Sequence, residues 1–303
     1  GYYKLNVSSV SENKTIGFYL EHPENIQAGL YVSYEKVPTS AVYDNVSSAT
    51  GATEQEVLVS KVKQGNYYIL AQDNQAMINI ENNKFYLDDM PEEKLTTMTL
   101  SPKVVNFGVT SFSIREGGTG GWISSDVRGA LFDSIMDFRL QMDDKVILAE
   151  SVTFKDQTST HITFNLNDAK IGTYDVISEL PDGTVSTLPK GFRVIPGASV
   201  GLGVKLDVPG VVRAGSYAPI SVSYANGGTT DIEIYELLLV IDEGYLAYDI
   251  KDLEHHQSVL HIKPDFGADN RGYISIPPGT QKTLNLYMQQ VANSSTITIY
   301  IVK

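Results

Sequence analysis

Apolar and polar residues alternate with a period of two along almost the whole chain, and helical spacing is scarce. Near the start, "YYKLNV", "IGFYLEH", "GLYVSYEKV", "EVLVSKV", "GNYYILAQ" and "MINIENNKFYL" each alternate, with Asn, Gly, Pro and Ser between them. That is the pattern of half-buried strands joined by turns. In "GLYVSYEKV", Leu30, Val32 and Tyr34 share one face while Tyr31, Ser33 and Glu35 share the other. The first face packs, and the second meets solvent or another layer. A short helix can be drawn over 124–138, "SSDVRGALFDSIMDF", but Gly129 weakens it.

Turn chemistry divides this run of strands. The acidic stretch 87–102, "LDDMPEEKLTTMTLSP", reads as a linker, because Pro91 and Pro102 interrupt pairing and the carboxylates prefer water. Residues 174–197, "YDVISELPDGTVSTLPKGFRVIPG", read as a hairpin turning at Pro181, Asp182 and Gly183. Tyr174 and Val176 then face Phe192 and Val194, and Pro196 and Gly197 close the unit. Asp143 and Asp144 mark another hairpin turn. Asn226, Gly227 and Gly228 between two strand patterns predict one more. The reading is an all-β chain of three tandem β-sandwich domains, the middle one immunoglobulin-like. Its spans are 1–90, a linker at 91–101, 102–196 and 197–303, each domain near the commonest size. No motif recurs at a fixed period.

Composition narrows the function classes. The chain has 303 residues, more than one core usually serves, and its 18 Tyr and 25 Gly suit strands and turns. No apolar run approaches the roughly 20 residues needed to span a bilayer, so membrane insertion is not expected. A formal net charge of −13 argues against nucleic acid, which needs clustered Lys and Arg, and against adhesion to anionic lipid through a basic patch. With no cysteine, disulfides, thiolate metal sites and thiol catalysis are excluded. Both "GYYKLNVSSV" and "STITIYIVK" are strand-like, as the ends of a segment cut from a longer chain or trimmed by processing would be.

Three family resemblances follow from quoted motifs. Residues 102–194 resemble an IPT/TIG immunoglobulin-like domain through Pro102, "EGGTGG" (116–121), "RGALFD" (128–133), "GTYDV" (172–176), "PDGT" (181–184) and "FRV" (192–194). The long span between Pro102 and Gly129 departs from that pattern and implies an enlarged first loop. Residues 1–90 look like a bacterial pre-peptidase C-terminal domain, through "YYKLNV" (2–7), "LYVSYEKVPTSAVYD" (30–44) and "GNYYILAQ" (65–72). That family's opening strand is missing here, and with it the region where some relatives bind calcium or collagen. Residues 198–303 are similar to CARDB-type adhesion-related domains, through "VVRAGSYAPISVSYANGGTTDI" (211–232) and "IPPGTQKTLNLYM" (276–288). All three resemblances imply modules of large exported or surface proteins of bacteria.

Candidate chemistry is thin. Asp265, Asp269 and Asn270 in "PDFGADNRG" supply oxygens in a glycine loop of the kind calcium accepts, without an EF-hand spacing. Asp88, Asp89, Glu92 and Glu93 form a second acidic cluster, read as a solvated linker. His255, His256 and His261 form the histidine cluster, with His22 and His161 standing apart. Adjacent histidines in a strand point to opposite faces, so surface polar residues are the favoured reading over a zinc or nickel site. Trp122, beside the glycine-rich loop, is a candidate sugar-stacking residue or an immunoglobulin-like core tryptophan. "EGGTGG" lacks the Lys-Ser/Thr of a phosphate loop, and no Gly-x-Ser-x-Gly elbow or other catalytic set is present. Sequons at Asn6, Asn13, Asn45 and Asn293 read as chance in a bacterial product.

The function expected is a non-enzymatic structural or adhesion segment of an exported bacterial multidomain surface protein, secreted or held at the cell surface. No cofactor is expected beyond the calcium candidate. Its partners would be other domains of the same parent, neighbouring copies, or an extracellular protein or glycan. The alternative is a collagen- or polysaccharide-binding accessory module of a secreted hydrolase, which an exposed aromatic strip on one sheet would favour. The missing opening strand and the β-rich "TITIYIV" also raise filament formation by strand exchange.

Overall fold

The computed structural model describes residues 1–9, 14–24, 26–47, 53–74, 80–81, 84–85, 97–234, 236–263 and 274–303. These residues form an all-β protein, as the period-two pattern predicts, with a short 3-10 turn at Ile250–His255. The chain groups into two compact units. One is Gly1–Phe107 with Gly129–Leu131, and the other is Gly108–Arg128 with Phe132–Lys303.

The first unit is a two-layer sandwich. Its strands are β1 (Tyr2–Val7), β2 (Thr15–Glu21), β3 (Ala28–Tyr34), β4 (Asn45–Ser47), β5 (Glu54–Val59) and β6 (Gly65–Asp73). A small hairpin of β7 (Ile80–Glu81) and β8 (Lys84–Phe85) follows, and β9 (Thr99–Val105) closes the unit. One layer runs β1-β6-β3-β4 and the other β5-β2-β9. Alternate residues of both layers meet in one core, among them Phe18, Leu20, Leu30, Val32, Val57, Tyr67 and Ile69. Burying each such side chain contributes about 1.5–3 kcal/mol.

β9 moves the expected boundary. Residues 91–96 of the expected linker lie outside the described residues, but Thr99–Val105 pairs antiparallel with β2 and places Pro102 opposite Phe18. Pro102 therefore belongs to the first sandwich, and the second unit starts at Gly108. A proline is accepted here because β9 is an edge strand, where a missing N–H leaves no ladder partner unsatisfied.

The second unit contains two sandwiches. The first comprises β10 (Gly108–Phe112), β11 (Glu116–Gly118), β12 (Trp122–Ala130) and β13 (Asp137–Met142), then β14 (Lys145–Asp156), β15 (Ser159–Asn165), β16 (Gly172–Glu179) and β17 (Val185–Ile195). Hydrogen bonding links them in the order β10-β12-β15-β14-β13-β16-β17-β11. The long β14 serves both layers. Its start pairs with β13, its end pairs with β15, and a register shift between Ala149 and Ser151 marks the crossing. Phe132 and Phe138 meet edge-to-face at 5.8 Å within the core. The fully buried Tyr174 donates its hydroxyl to the Lys170 carbonyl at 2.9 Å, the tyrosine corner of immunoglobulin-like sandwiches.

Local expectations in this domain divide. The Asp143 turn joins β13 to β14, with Asp143 at φ 52°. The 181–183 turn joins β16 to β17, with Gly183 at φ 82°. Tyr174 does oppose Phe192, and the same antiparallel register sets Val194 opposite Gly172; a bulge after Tyr174 then puts Val176 opposite Leu188. The helix drawn over 124–138 is a strand as far as Ala130, since β12 finds a full antiparallel partner in β15.

The last sandwich comprises β18 (Gly203–Asp207), β19 (Tyr217–Ala225), β20 (Ile232–Ile234), β21 (Glu236–Ile241) and β22 (Gly244–Ala247). To these it adds β23 (Val259–Ile262), β24 (Ile274–Ile276), β25 (Gln281–Gln290) and β26 (Ile297–Val302). Sheet β18-β19-β25-β22 faces sheet β23-β21-β26, with β20 paired to β24. Val222, Tyr224, Ile234, Leu237, Leu239 and Leu286 fill the space between. The Asn226-Gly227-Gly228 turn does not make the expected hairpin, because β19 and β20 lie in different sheets. Buried Asn226 explains the crossing: its Nδ2 donates to the Thr230 and Ile276 carbonyls at 2.9 and 2.7 Å. A side chain holding two backbones across the turn competes with hairpin pairing.

Candidate functional site

The outer face of sheet β1-β6-β3-β4 gathers four tyrosines, Tyr2, Tyr31, Tyr43 and Tyr68. Val7, Tyr67, Ile69, Leu30 and Val32 point into the core. Alternation therefore sends Tyr2, Lys4 and Asn6 of β1, Asn66, Tyr68, Leu70 and Gln72 of β6, and Gly29, Tyr31 and Ser33 of β3 outward. The register sets them in rows: Tyr2 beside Leu70 beside Tyr31, Lys4 beside Tyr68 beside Ser33, and Asn6 beside Asn66. Neighbouring strands lie about 4.8 Å apart.

Tyr31, Tyr43 and Tyr68 are each held by a side-chain contact. The Tyr31 ring lies over Gly29, where an added Cβ would come within 2.8 Å of it. Its hydroxyl donates to Asn74 Oδ1 at 3.3 Å, and Gln72 Nε2 donates to the same oxygen at 3.0 Å. Tyr43 packs on Tyr31 with ring centroids 5.3 Å apart. The segment carrying Tyr43 is tied down where the Asp44 amide donates to Ser33 Oγ at 3.1 Å and Asp44 Oδ2 accepts from the Tyr34 amide at 2.9 Å. Lys36 and then the Tyr34 amide hold the Asp44 carboxyl below the usual range. Lys4 Nζ sits 5.7 Å from the centre of the Tyr68 ring, and Asn6 Nδ2 donates to Asn66 Oδ1 at 3.0 Å. Tyr2 is 61% exposed and Tyr43 40% exposed. The face thus offers ring surfaces ringed by amides and one ammonium, the mixture that stacks on a sugar ring and hydrogen-bonds its hydroxyls.

The opposite sheet of this unit has a single outward aromatic, Tyr19, engaged within its own face. Lys103 Nζ lies 5.4 Å from its ring centre. Burial, reinforced by the neighbouring Glu56, pushes its hydroxyl up to about 12.

The second unit has a different cluster, at the seam between its sandwiches. Residues 229–231 run along the glycine-rich stretch 116–121. The Gly118 amide donates to the Thr229 carbonyl at 2.6 Å and the Asp231 amide to the Trp122 carbonyl at 2.8 Å. The Ala198 amide donates to Thr229 Oγ1 at 2.7 Å. A Cβ on Gly118 would fall 2.1 Å from Thr229 Oγ1, and one on Gly197 2.0 Å from the Thr119 carbonyl oxygen. Gly118 and Gly197 therefore allow a close approach of the two stretches, and the first half of "EGGTGG" is strand β11 rather than the turn expected. Beside them, His161 Nδ1 lies 2.8 Å from Asp126 Oδ1, and Lys155 Nζ reaches the same oxygen at 2.8 Å. The His161 contact and then the Lys155 contact, against partial burial, hold the Asp126 carboxyl down to about 2.

The other residues singled out in the sequence are scattered. Trp122 is half-buried and opens β12 at the seam, so it occupies a joint and not a loop tip. Asp265, Asp269 and Asn270 lie outside the described residues, as do Asp88, Asp89, Glu92, Glu93 and Asn13. His255 ends the 3-10 turn, His256 stacks on Tyr245 at 4.4 Å, and His261 Nδ1 faces Glu236 Oε2 at 2.9 Å. Among the described residues no three His, Asp or Glu side chains converge as a metal site would require. Sequence reasoning missed the tyrosine face. Its signal was present: "YYKLNV", "GLYVSYEKV" and "GNYYILAQ" each put a tyrosine on the polar phase of the alternation.

No family model matches the chain and no curated protein matches it. The three family likenesses therefore rest on the motifs quoted above. Among solved structures, the Bacteroides ovatus mixed-linkage glucan utilization locus protein SGBP-B, in complex with a mixed-linkage heptasaccharide, aligns at 11% identity. That alignment covers 94% of this chain and 60% of the other, with a TM-score of 0.26. A structure with xylogluco-oligosaccharide aligns at 10% identity over 99% of this chain and 77% of its own, with a TM-score of 0.23. The I9–I11 tandem from titin aligns at 10% identity over 96% and 90%, with a TM-score of 0.21.

Proposed function

We propose that the chain is a non-catalytic adhesion segment of an exported bacterial surface protein. In this reading the first unit binds a neutral polysaccharide, and the second acts as a spacer. The observation that carries it is the outer face of β1-β6-β3-β4, with Tyr2, Tyr43 and Tyr68 beside the amides of Asn6, Asn66 and Gln72. The formal charge of −13 disfavours anionic polymers and leaves neutral sugar chains. The spacer role is supported by the tight glycine seam of the second unit. The bacterial surface setting is supported by the likeness to pre-peptidase C-terminal, IPT/TIG and CARDB-type modules.

Affinity electrophoresis of the full chain in gels containing mixed-linkage glucan, xyloglucan or dextran tests this, with immobilised collagen as a protein control. Retardation by at least one glycan is expected. The Tyr2→Ala/Tyr43→Ala double variant should weaken it tenfold or more, at about 1 kcal/mol for each lost stacking surface. No retardation by any of the three glycans, or retardation unchanged in the double variant, would overturn the reading.

A further inference from the structure

The seam of the second unit encloses a buried carboxylic acid whose oxygens make no well-formed hydrogen bond, although Ser124 lies close enough to act on them. Asp231 precedes β20, its amide is spent on the Trp122 carbonyl, and both its carboxyl oxygens are buried without a well-formed hydrogen bond. Nε2 of His161, a residue 6% exposed, is also buried without a partner, as is Oγ of Ser275, a residue 1% exposed that lies opposite Glu233 in the β20–β24 pair. An ionised carboxylate so placed costs far more than a protonated one.

We propose that this seam is a pH-responsive joint, in which protonated Asp231 keeps the two sandwiches locked and its ionisation loosens them. Burial raises the Asp231 carboxyl to about 7, with Ser124 and His161 offsetting part of the rise and Glu233 adding to it. The charged and titratable neighbours come from four strands: Asp126 on β12, Lys155 on β14, His161 on β15 and Glu233 on β20. Asp126 and Lys155 already pair with each other, and Asp126 also holds His161 Nδ1. Asp126 stays ionised above about 2, so it is not the group that changes between pH 5 and 8.

The direction follows from linkage. A carboxyl that holds its proton more tightly in the folded chain stabilises fully below its unfolded value near 4. It loses that contribution as pH climbs towards 7, and above 7 the whole cost is present. The joint is therefore tight in mild acid and loose in mild alkali.

Hydrogen exchange of the full chain at pH 5.5 and 8.5, corrected for intrinsic rates, reads the joint through the Gly118 and Asp231 amides. Their protection should fall tenfold or more at pH 8.5 while the β16 amides hold theirs, and Asp231→Asn should keep the seam protected at both pH values. Equal wild-type protection at the two pH values, or the same loss in Asp231→Asn, would overturn the proposal. Should that variant fail to fold, the carboxyl carbon resonance of wild-type Asp231 decides: a midpoint near 7 supports the joint, and one below 5 overturns it.

Discussion

The outer face of the first sandwich and the seam of the second unit use the same materials to opposite ends. Both place polar side chains on strands and use glycine to let something lie close to the backbone. On the outer face Gly29 accommodates the Tyr31 ring, and Asn6, Asn66, Gln72 and Asn74 each have a hydrogen-bond partner at an exposed position. At the seam Gly118 and Gly197 accommodate other backbone and threonine groups, and Asp231 and His161 are left with buried atoms that make no well-formed hydrogen bond. An exposed polar group is cheap to keep and free to bind, whereas a buried one is costly unless its protonation state adjusts. The first arrangement suits recognition and the second suits a responsive joint.

The largest expected effect comes from closing the seam's close approach. Gly197→Ala drives a Cβ against the Thr119 carbonyl, a backbone atom that cannot swing away. It should cost about 3 kcal/mol, or roughly 10 °C in the calorimetric transition of the second unit. A loss below about 1 °C would mean that the backbones at the seam separate freely. Tyr174→Phe asks what a satisfied buried polar group is worth in the same unit. It removes the bond to the Lys170 carbonyl and should cost about 1 kcal/mol in urea unfolding.

Gly29→Ala is the counterpart on the outer face. The new Cβ meets the ends of Tyr31 and Asn74, which can move, so the cost should stay near 1 kcal/mol. Displacing Tyr31 should nonetheless weaken glycan retardation along with Tyr43, which leans on it. A variant as destabilised as Gly197→Ala would erase the distinction between the two surfaces. The smallest effect is expected at Asp126. Its depressed carboxyl stabilises above the unfolded value near 4 and loses that contribution as pH falls towards 2. Solvent around the pair reduces this to about 0.5 kcal/mol. Asp126→Asn should flatten the acid limb of the stability profile by that amount.

Much of the architecture is legible from residue order. The alternation in "GLYVSYEKV" predicts β3 and its inward residues, and Asp143 and Gly183 mark turns that exist where predicted. Failures came where a local signal met a long-range partner. Pro102 looked like a breaker, yet an edge position let β9 join the first sandwich. The Asn-Gly-Gly turn looked like a hairpin, yet Asn226 spends its amide on Ile276, 50 residues away. Tyr31 sat on the polar phase and became buried, because the segment around Tyr43 folds over it.

The sequence by itself determined that this protein is built of strands, where most of its turns fall, and that cysteine chemistry is closed to it. Those properties depend on neighbours within a few residues, where backbone sterics and period-two burial act. Only the tertiary structure decided which polar residues are exposed and which are trapped. In "GGTTDIEIYE" Asp231 is one more polar residue after a turn, and nothing local separates it from Asp143. Its fate depends on Trp122 and His161, brought beside it by two sandwiches meeting across more than 60 residues of chain. Solvation is set by everything that surrounds a group, and a chain does not know its surroundings until it has folded.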